Sequence, residues 1–184
     1  YHLFARPPQG VWVCLNPDCQ GRETNRTSVW SKIFTAPRTT CDVCECAVYP
    51  LAVCRTCGQV YVYGQLEDDG RLSSEVLREH EANKRYFTWS AVNPNTSLAE
   101  EIDAEESATE VPPDTMTQHE VTLCLNDACR KLARCTCDRP KKVKLFQVEK
   151  QQVSKTGTRS DPLAKLRQCS RCNDSPRVQD TEIA

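Results

Sequence analysis

The side chains with the most chemistry to offer are 13 cysteines: Cys14, Cys19, Cys41, Cys44, Cys46, Cys54, Cys57, Cys124, Cys129, Cys135, Cys137, Cys169 and Cys172. They fall in tight pairs, three of them of the form C-x2-C: Cys41/Cys44, Cys54/Cys57 and Cys169/Cys172. That spacing turns the backbone sharply enough for two thiolates to reach one ion at about 2.3 Å, and two such pairs complete the tetrahedron that Zn²⁺ accepts. A disulfide framework would favour an even count and a secretory leader, and neither is present. Redox-active dithiols are a third use of the same spacing. An iron–sulfur cluster would also take four thiolates, but the closely spaced triplet of a ferredoxin run is missing. His2, His80 and His119 do not stand between cysteine pairs, so neither a RING nor a C2H2 arrangement is expected.

Thirteen cysteines make three quartets with one left over. The preferred partition groups Cys14, Cys19, Cys41 and Cys44, then Cys54, Cys57, Cys169 and Cys172, then Cys124, Cys129, Cys135 and Cys137, leaving Cys46. A rival joins Cys41, Cys44, Cys54 and Cys57, and Cys14/Cys19 must then pair elsewhere. An all-thiolate inventory predicts closed, structural Zn²⁺ sites, about three per chain, because catalytic zinc needs an open position and usually His or Glu ligands. No catalytic residues are expected in this segment. It carries no G-x4-G-K-[ST] phosphate loop either, so it cannot hydrolyse a nucleoside triphosphate by that route.

The elements that must position these sulfurs are short and poor in apolar residues. Leu, Ile, Val and Phe number 36 of 184 residues, near the roughly 20% level below which a chain struggles to bury enough surface. Each structural zinc contributes on the order of 10 kcal/mol to folding, enough to offset a thin core. Val11 to Val13 and Val29 to Phe34 read as short strands, Gln59 to Leu66 as the strongest strand, Ser73 to Lys84 as a short helix, and Arg85 to Trp89 as another strand. The expected fold is small, β-rich or α+β, zinc-ribbon-like and metal-stabilised. It divides into an N-terminal lobe at 1–92, an acidic linker at 93–120 and a basic C-terminal lobe at 121–184.

The formal net charge of -1 averages two opposites. Leu98 to Glu120 holds eight acidic residues and no Lys or Arg, while Val121 to Cys172 holds 13 cations against four anions. Arg139, Lys141, Lys142, Lys144, Lys165, Arg167 and Arg171 are therefore candidates for phosphate contact, beside the plainer reading of a charged surface that balances the acidic segment. The knuckle Cys14-Leu15-Asn16-Pro17-Asp18-Cys19 recurs as Cys124-Leu125-Asn126-Asp127-Ala128-Cys129, which suggests two related lobes.

The opening His2-Leu3-Phe4-Ala5-Arg6, the knuckle Gly10-Val11-Trp12-Val13-Cys14-Leu15-Asn16-Pro17-Asp18-Cys19, the pair Cys41/Cys44 and the knuckle Cys54-Arg55-Thr56-Cys57-Gly58 together resemble the cysteine-rich insertion of large bacterial superfamily 2 DEAD/DEAH-box helicases, many of them in phage-defence islands. Cys169/Cys172 match the pair that closes that insertion. Cys46 and the quartet from Cys124 to Cys137 are additions to the family pattern, and Cys169-Ser170-Arg171-Cys172-Asn173 departs from its usual C-P-x-C-G. The resemblance covers residues 1–66 and the last fifteen or so. It implies an ATP-dependent DNA helicase or translocase as parent, with this segment a cytoplasmic, antiviral-defence accessory domain aiding DNA contact or motor-lobe arrangement. A module that docks a partner subunit without touching nucleic acid is the alternative. No membrane association is expected, since no apolar run reaches the roughly 18 residues of a span. The chain opens on Tyr1 without a charged leader and reads as a segment of a longer protein. Elemental analysis is expected to find about three zinc ions per chain in a colourless protein. A brown protein containing iron and acid-labile sulfide would overturn the zinc assignment.

Overall fold

A computed structural model describes residues 10–22, 31–75, 83–91, 115–154, 157–162, 169–172 and 178–180. Ten strands form one sheet: β1 (Trp12–Cys14), β2 (Ile33–Phe34), β3 (Val48–Cys54), β4 (Val60–Leu66), β5 (Leu72–Ser73), β6 (Lys84–Thr88), β7 (Thr115–Cys124), β8 (Lys142–Ser154), β9 (Gly157–Pro162) and β10 (Val178–Asp180). The main path runs β2-β1-β3-β4-β6-β8-β7, with β10 beside β3, β5 beside β4 and β9 beside β8. Every pairing is antiparallel. No α-helix occurs among the described residues. Most of the helix expected at Ser73 to Lys84 lies outside them, and Ser73 itself ends β5.

Strand side chains alternate between faces, and both faces of this sheet are apolar. On one face Val13, Leu15, Tyr49, Leu51, Val62, Phe87, Leu123 and Leu145 pack with Cys14, Cys19, Cys41 and Cys46. On the other, Ala52, Tyr61, Tyr63, Tyr86, Met116 and Val148 pack with Cys54 and Cys169. The sulfurs are thus part of both cores. In β4 the sequence Val60-Tyr61-Val62-Tyr63 sends its two tyrosines to one face and Val62 to the other, which is why an unbroken run of β-formers still alternates.

β3 is buried almost throughout although Pro50 is its third residue. Pro50 stands opposite Trp12, and the neighbouring Leu51 N–H donates to the Val11 carbonyl at 2.9 Å, so pairing with β1 continues past the proline. The Tyr49 hydroxyl donates to the Leu72 carbonyl at 3.1 Å and fastens β5 over the sheet.

The pairing joins segments expected as separate lobes. β6 pairs with β8 and β10 with β3, and the first six residues of β7, Thr115 to Glu120, fall in the range expected as linker. The acidic stretch from 92 to 114 lies outside the described residues.

Two glycines are required for different reasons. Gly58, with φ +71°, follows the Cys57 knuckle, and a methyl group added there would meet nothing within 4 Å, so only its backbone angle demands glycine. Gly64 needs space: a Cβ there would lie 2.7 Å from the Ser73 carbonyl oxygen and 2.8 Å from Leu72 Cγ. Overpacking of this kind costs about 1–3 kcal/mol. Gly64→Ala is therefore expected to lower the Tm of the metal-loaded chain by several degrees, roughly 3–10 °C, and an unchanged melting curve would show that β5 is not pressed onto β4.

Candidate metal centres

Twelve of the 13 cysteines converge in three groups: Cys14, Cys19, Cys41 and Cys44; Cys54, Cys57, Cys169 and Cys172; Cys124, Cys129, Cys135 and Cys137. Within each group all sulfurs lie within 4.8 Å of one another. The closest approaches are Cys14–Cys44 at 3.5 Å, Cys19–Cys41 at 3.8 Å, Cys54–Cys172 at 3.7 Å, Cys57–Cys169 at 3.5 Å and Cys124–Cys137 at 3.9 Å. A disulfide needs about 2.05 Å, and none of the 13 forms one. A regular tetrahedron with metal–sulfur bonds of about 2.3 Å has edges of about 3.8 Å, so each group could hold one metal ion.

The first group lies where β1 ends and β3 begins. Cys14 closes β1 and pairs across to Val48. The chain then turns, with the Cys19 N–H donating to the Asn16 carbonyl at 3.1 Å. Cys41 and Cys44 occupy the turn before β3, where the Cys41 N–H donates to the Cys46 carbonyl and the Glu45 N–H to the Cys41 carbonyl. Cys46 is buried beside this group but outside the quartet.

The third group fills the long loop between β7 and β8. Its first knuckle repeats the first site's turn: the Cys129 N–H donates to the Asn126 carbonyl at 2.8 Å, and Leu125, like Leu15, is fully buried. The first site's other pair, Cys41/Cys44, lies against the third site. The Ala47 N–H donates to the Leu125 carbonyl, the Thr40 hydroxyl to the Asp127 carboxylate and the Lys141 ammonium to the Cys44 carbonyl. Arg130 is the strut between them: buried, it reaches the Thr39 carbonyl, Ser74 Oγ and the Asp127 carboxylate.

The second group joins distant segments. Cys54 and Cys57 form the β3–β4 turn, where the Gly58 N–H donates to the Cys54 carbonyl, and Cys169 and Cys172 arrive from over a hundred residues later. Tyr61 anchors the arriving knuckle. Its hydroxyl oxygen lies 3.1 Å from Cys169 Sγ and 3.0 Å from Ser170 Oγ and accepts the Ser170 N–H at 2.9 Å. Gln118 Nε2 donates to Ser170 Oγ from β7.

Ionisation is favoured at one thiol in each quartet, Cys44, Cys54 and Cys135. Burial opposes ionisation of Cys44, but the Asn16 side chain, the Cys46 N–H and the thiols of Cys14 and Cys19 bring it down to about 6. Burial is likewise outweighed at Cys54, brought down to about 7 by the N–H groups of Cys57 and Thr56 and the thiols of Cys169 and Cys57. In the third group the Cys137 N–H lowers Cys135. The neighbours move the other way: burial raises Cys14 and Cys124, pushes Cys19 up to about 11 and Cys57 up to about 12, and a hydrogen bond with Cys129 raises Cys137. A second thiolate so near the first is repelled. A cation removes that repulsion, and its binding must expel the remaining protons, so affinity rises with pH.

The basic candidates scatter. Arg139, Lys141 and Lys142 are exposed around the third group. Lys144, with 72% of its side chain exposed, pairs with Glu120 at 3.0 Å. Arg171 is exposed in the second site's later knuckle, and Lys165 and Arg167 lie outside the described residues. His119 is exposed, 3.4 Å from the Glu149 carboxylate and in none of the quartets. Sequence reasoning missed Tyr61 and Arg130. Nothing in Val-Tyr-Val-Tyr separates Tyr61 from Tyr63, and Arg130 is one cation in a basic run.

A family model described as the YjiV N-terminal domain matches residues 33–183. Druantia protein DruE of Escherichia coli (strain UMEA 4076-1) is 32% identical over 108 residues, which covers 55% of this chain and 5% of DruE. The chain therefore spans a small fraction of that relative. No solved structure matches it.

With Cys169 as a metal-bound thiolate, the Tyr61 phenol becomes its hydrogen-bond donor. Groups of this kind change metal affinity by about 10–100-fold. Tyr61→Phe is expected to speed metal loss from the second site alone by about tenfold, measured as site-resolved transfer to a chromogenic chelator. Equal release from all three sites would refute the assignment.

Proposed function

The chain belongs to the YjiV N-terminal domain family, and on that footing we propose that it is a zinc-stabilised accessory module of a large phage-defence protein that drives an ATP-dependent helicase or translocase on DNA. The observation that carries this reading is the convergence of twelve cysteines into three tetrahedral-sized quartets with no histidine or carboxylate ligand among them. Such sites are closed and structural, so the module supplies shape and contact while the chemistry resides elsewhere in the parent. Zinc is favoured over an iron–sulfur cluster because sulfurs 3.5–3.9 Å apart leave room for one ion, whereas a cluster would place irons and sulfides between them. The helicase resemblance and the likeness to Druantia protein DruE support the defence role. DNA contact and motor-lobe arrangement are the two ways in which the module would serve the motor.

A second reading, a docking platform for a partner subunit, is favoured by one observation. Ile33 and Val43, 42% and 44% exposed, are the exposed large apolar side chains among the described residues; Val43 lies between Cys41 and Cys44, and Ile33 pairs with Val13, next to Cys14.

Chelation of the metal-loaded chain is expected to remove about three ions by native mass measurement and to unfold it cooperatively. A chain that melts at the same temperature with and without chelator would end the structural-metal reading. In the full-length parent, Cys169→Ser with Cys172→Ser is expected to abolish protection against phage and DNA-stimulated ATP hydrolysis. Ile33→Asp with Val43→Asp should leave that hydrolysis intact, and loss of a co-purifying subunit in that variant would favour the docking reading.

A further inference from the structure

The segment 129–142 carries six cations, Arg130, Lys131, Arg134, Arg139, Lys141 and Lys142, against one anion, Asp138. Arg130 is committed to the interior through Asp127. Arg134, Arg139, Lys141 and Lys142 are exposed and Lys131 half-buried, and none of these five forms an ion pair among the described residues. Other cations are matched: Lys144 by Glu120, Lys32 and Arg38 by Asp42.

Residues 130–133 are held by backbone bonds to Gly70, Leu72, Thr122 and Cys124, whereas the stretch from Arg134 to Arg139 carries Cys135 and Cys137 of the third quartet. Between Cys129 and Lys142 there is no strand, and regular pairing is limited to single bridges at Lys131 and Leu132. The chain reverses through Arg130 and Ala133 in left-handed backbone, φ 49° and 68°. The loop is then pinned at its far end, where the Lys141 N–H donates to Asn126 Oδ1, the Leu125 N–H to the Lys141 carbonyl and Asn126 Nδ2 to the Arg139 carbonyl. The four sulfurs gather what lies between. A divalent ion on four thiolates carries about two negative charges, which the five unpaired cations outnumber even with Asp138 added.

We propose that the loop 129–142, folded around the third cysteine quartet, is a sequence-independent contact for the phosphate backbone of DNA, formed by Arg134, Arg139, Lys131 and Lys142, present only when that quartet holds its metal, and excluding Lys144. The inference rests on the metal-bound accessory reading above and deepens it. Phosphates fit this surface better than a protein partner does. Protein interfaces are built around an apolar centre, and the exposed large apolar side chains among the described residues, Ile33 in β2 and Val43 between Cys41 and Cys44, lie outside this loop. Guanidinium groups such as those of Arg134 and Arg139 match phosphate oxygens in a bidentate fork.

The test is fluorescence anisotropy of the whole metal-loaded chain with a labelled DNA of about 20 nucleotides, single-stranded and duplex, as salt rises from about 50 to 200 mM. Binding is expected to fall with a log–log slope equivalent to about three or four phosphates. Arg134→Gln with Arg139→Gln should weaken it at least tenfold, and Lys144→Gln should change it less than twofold. Cys135→Ser with Cys137→Ser should retain two metals by native mass and lose DNA binding at least tenfold. The proposal is overturned if a three-metal chain does not bind at low salt. It is also overturned if Lys144→Gln weakens binding as much as the paired arginine variant, or if the two-metal variant binds like the parent sequence. A chain that takes up no metal overturns the accessory reading as well, so the two failures are separable.

Discussion

Four sulfur atoms within 4.8 Å of one another cannot all be negative unless a cation lies among them, and much of this structure follows from that constraint. Without metal, ionisation is favoured at Cys44, Cys54 and Cys135 and opposed at Cys14, Cys19, Cys57, Cys124 and Cys137. With metal, all four become ligands and the repulsion becomes attraction. Because Cys14, Cys41, Cys54, Cys124 and Cys169 are also buried core members, the same event completes the two apolar clusters. β3 shows the coupling most directly: its seven residues run from beside the first quartet to Cys54 in the second, so a largely buried strand is held at both ends.

The three centres differ in what they fasten. The first and third stand against each other, built on the same Cys-Leu-Asn turn and joined through Arg130, Thr40 and Lys141. The two copies of the repeated knuckle thus belong to centres that pack against each other. The second fastens the sheet's far face to a segment near the end of the chain, with Tyr61 and Gln118 as its supports.

What could be read from the residues alone was governed by how local its cause was. Knuckle spacing is dictated by the metal's bond length, so the grouping of the cysteines was legible, and the β-branched and aromatic run after Gly58 announced β4. β3 was illegible because Pro50 interrupts it and because burial on both faces leaves no alternation to detect. β7 was hidden by polarity: Thr117, Gln118, His119 and Glu120 read as a continuation of the acidic stretch, and only pairing with β8 makes them a strand. Tyr61 and Arg130 take their roles from tertiary neighbours that no sequence window contains.

The separation of the second quartet's halves has a meaning in time as well as in space. Cys57 and Cys169 are 112 residues apart. At a synthesis rate of about 5–20 residues per second, the dithiol at the β3–β4 turn emerges about 6 to 22 s before its partners exist. The first and third quartets draw on far shorter stretches of chain and can be loaded during that interval. The nascent protein thus passes through a stage in which two of its centres are complete and the third is half a ligand set, open to oxidants and to competing metals until the last knuckle arrives.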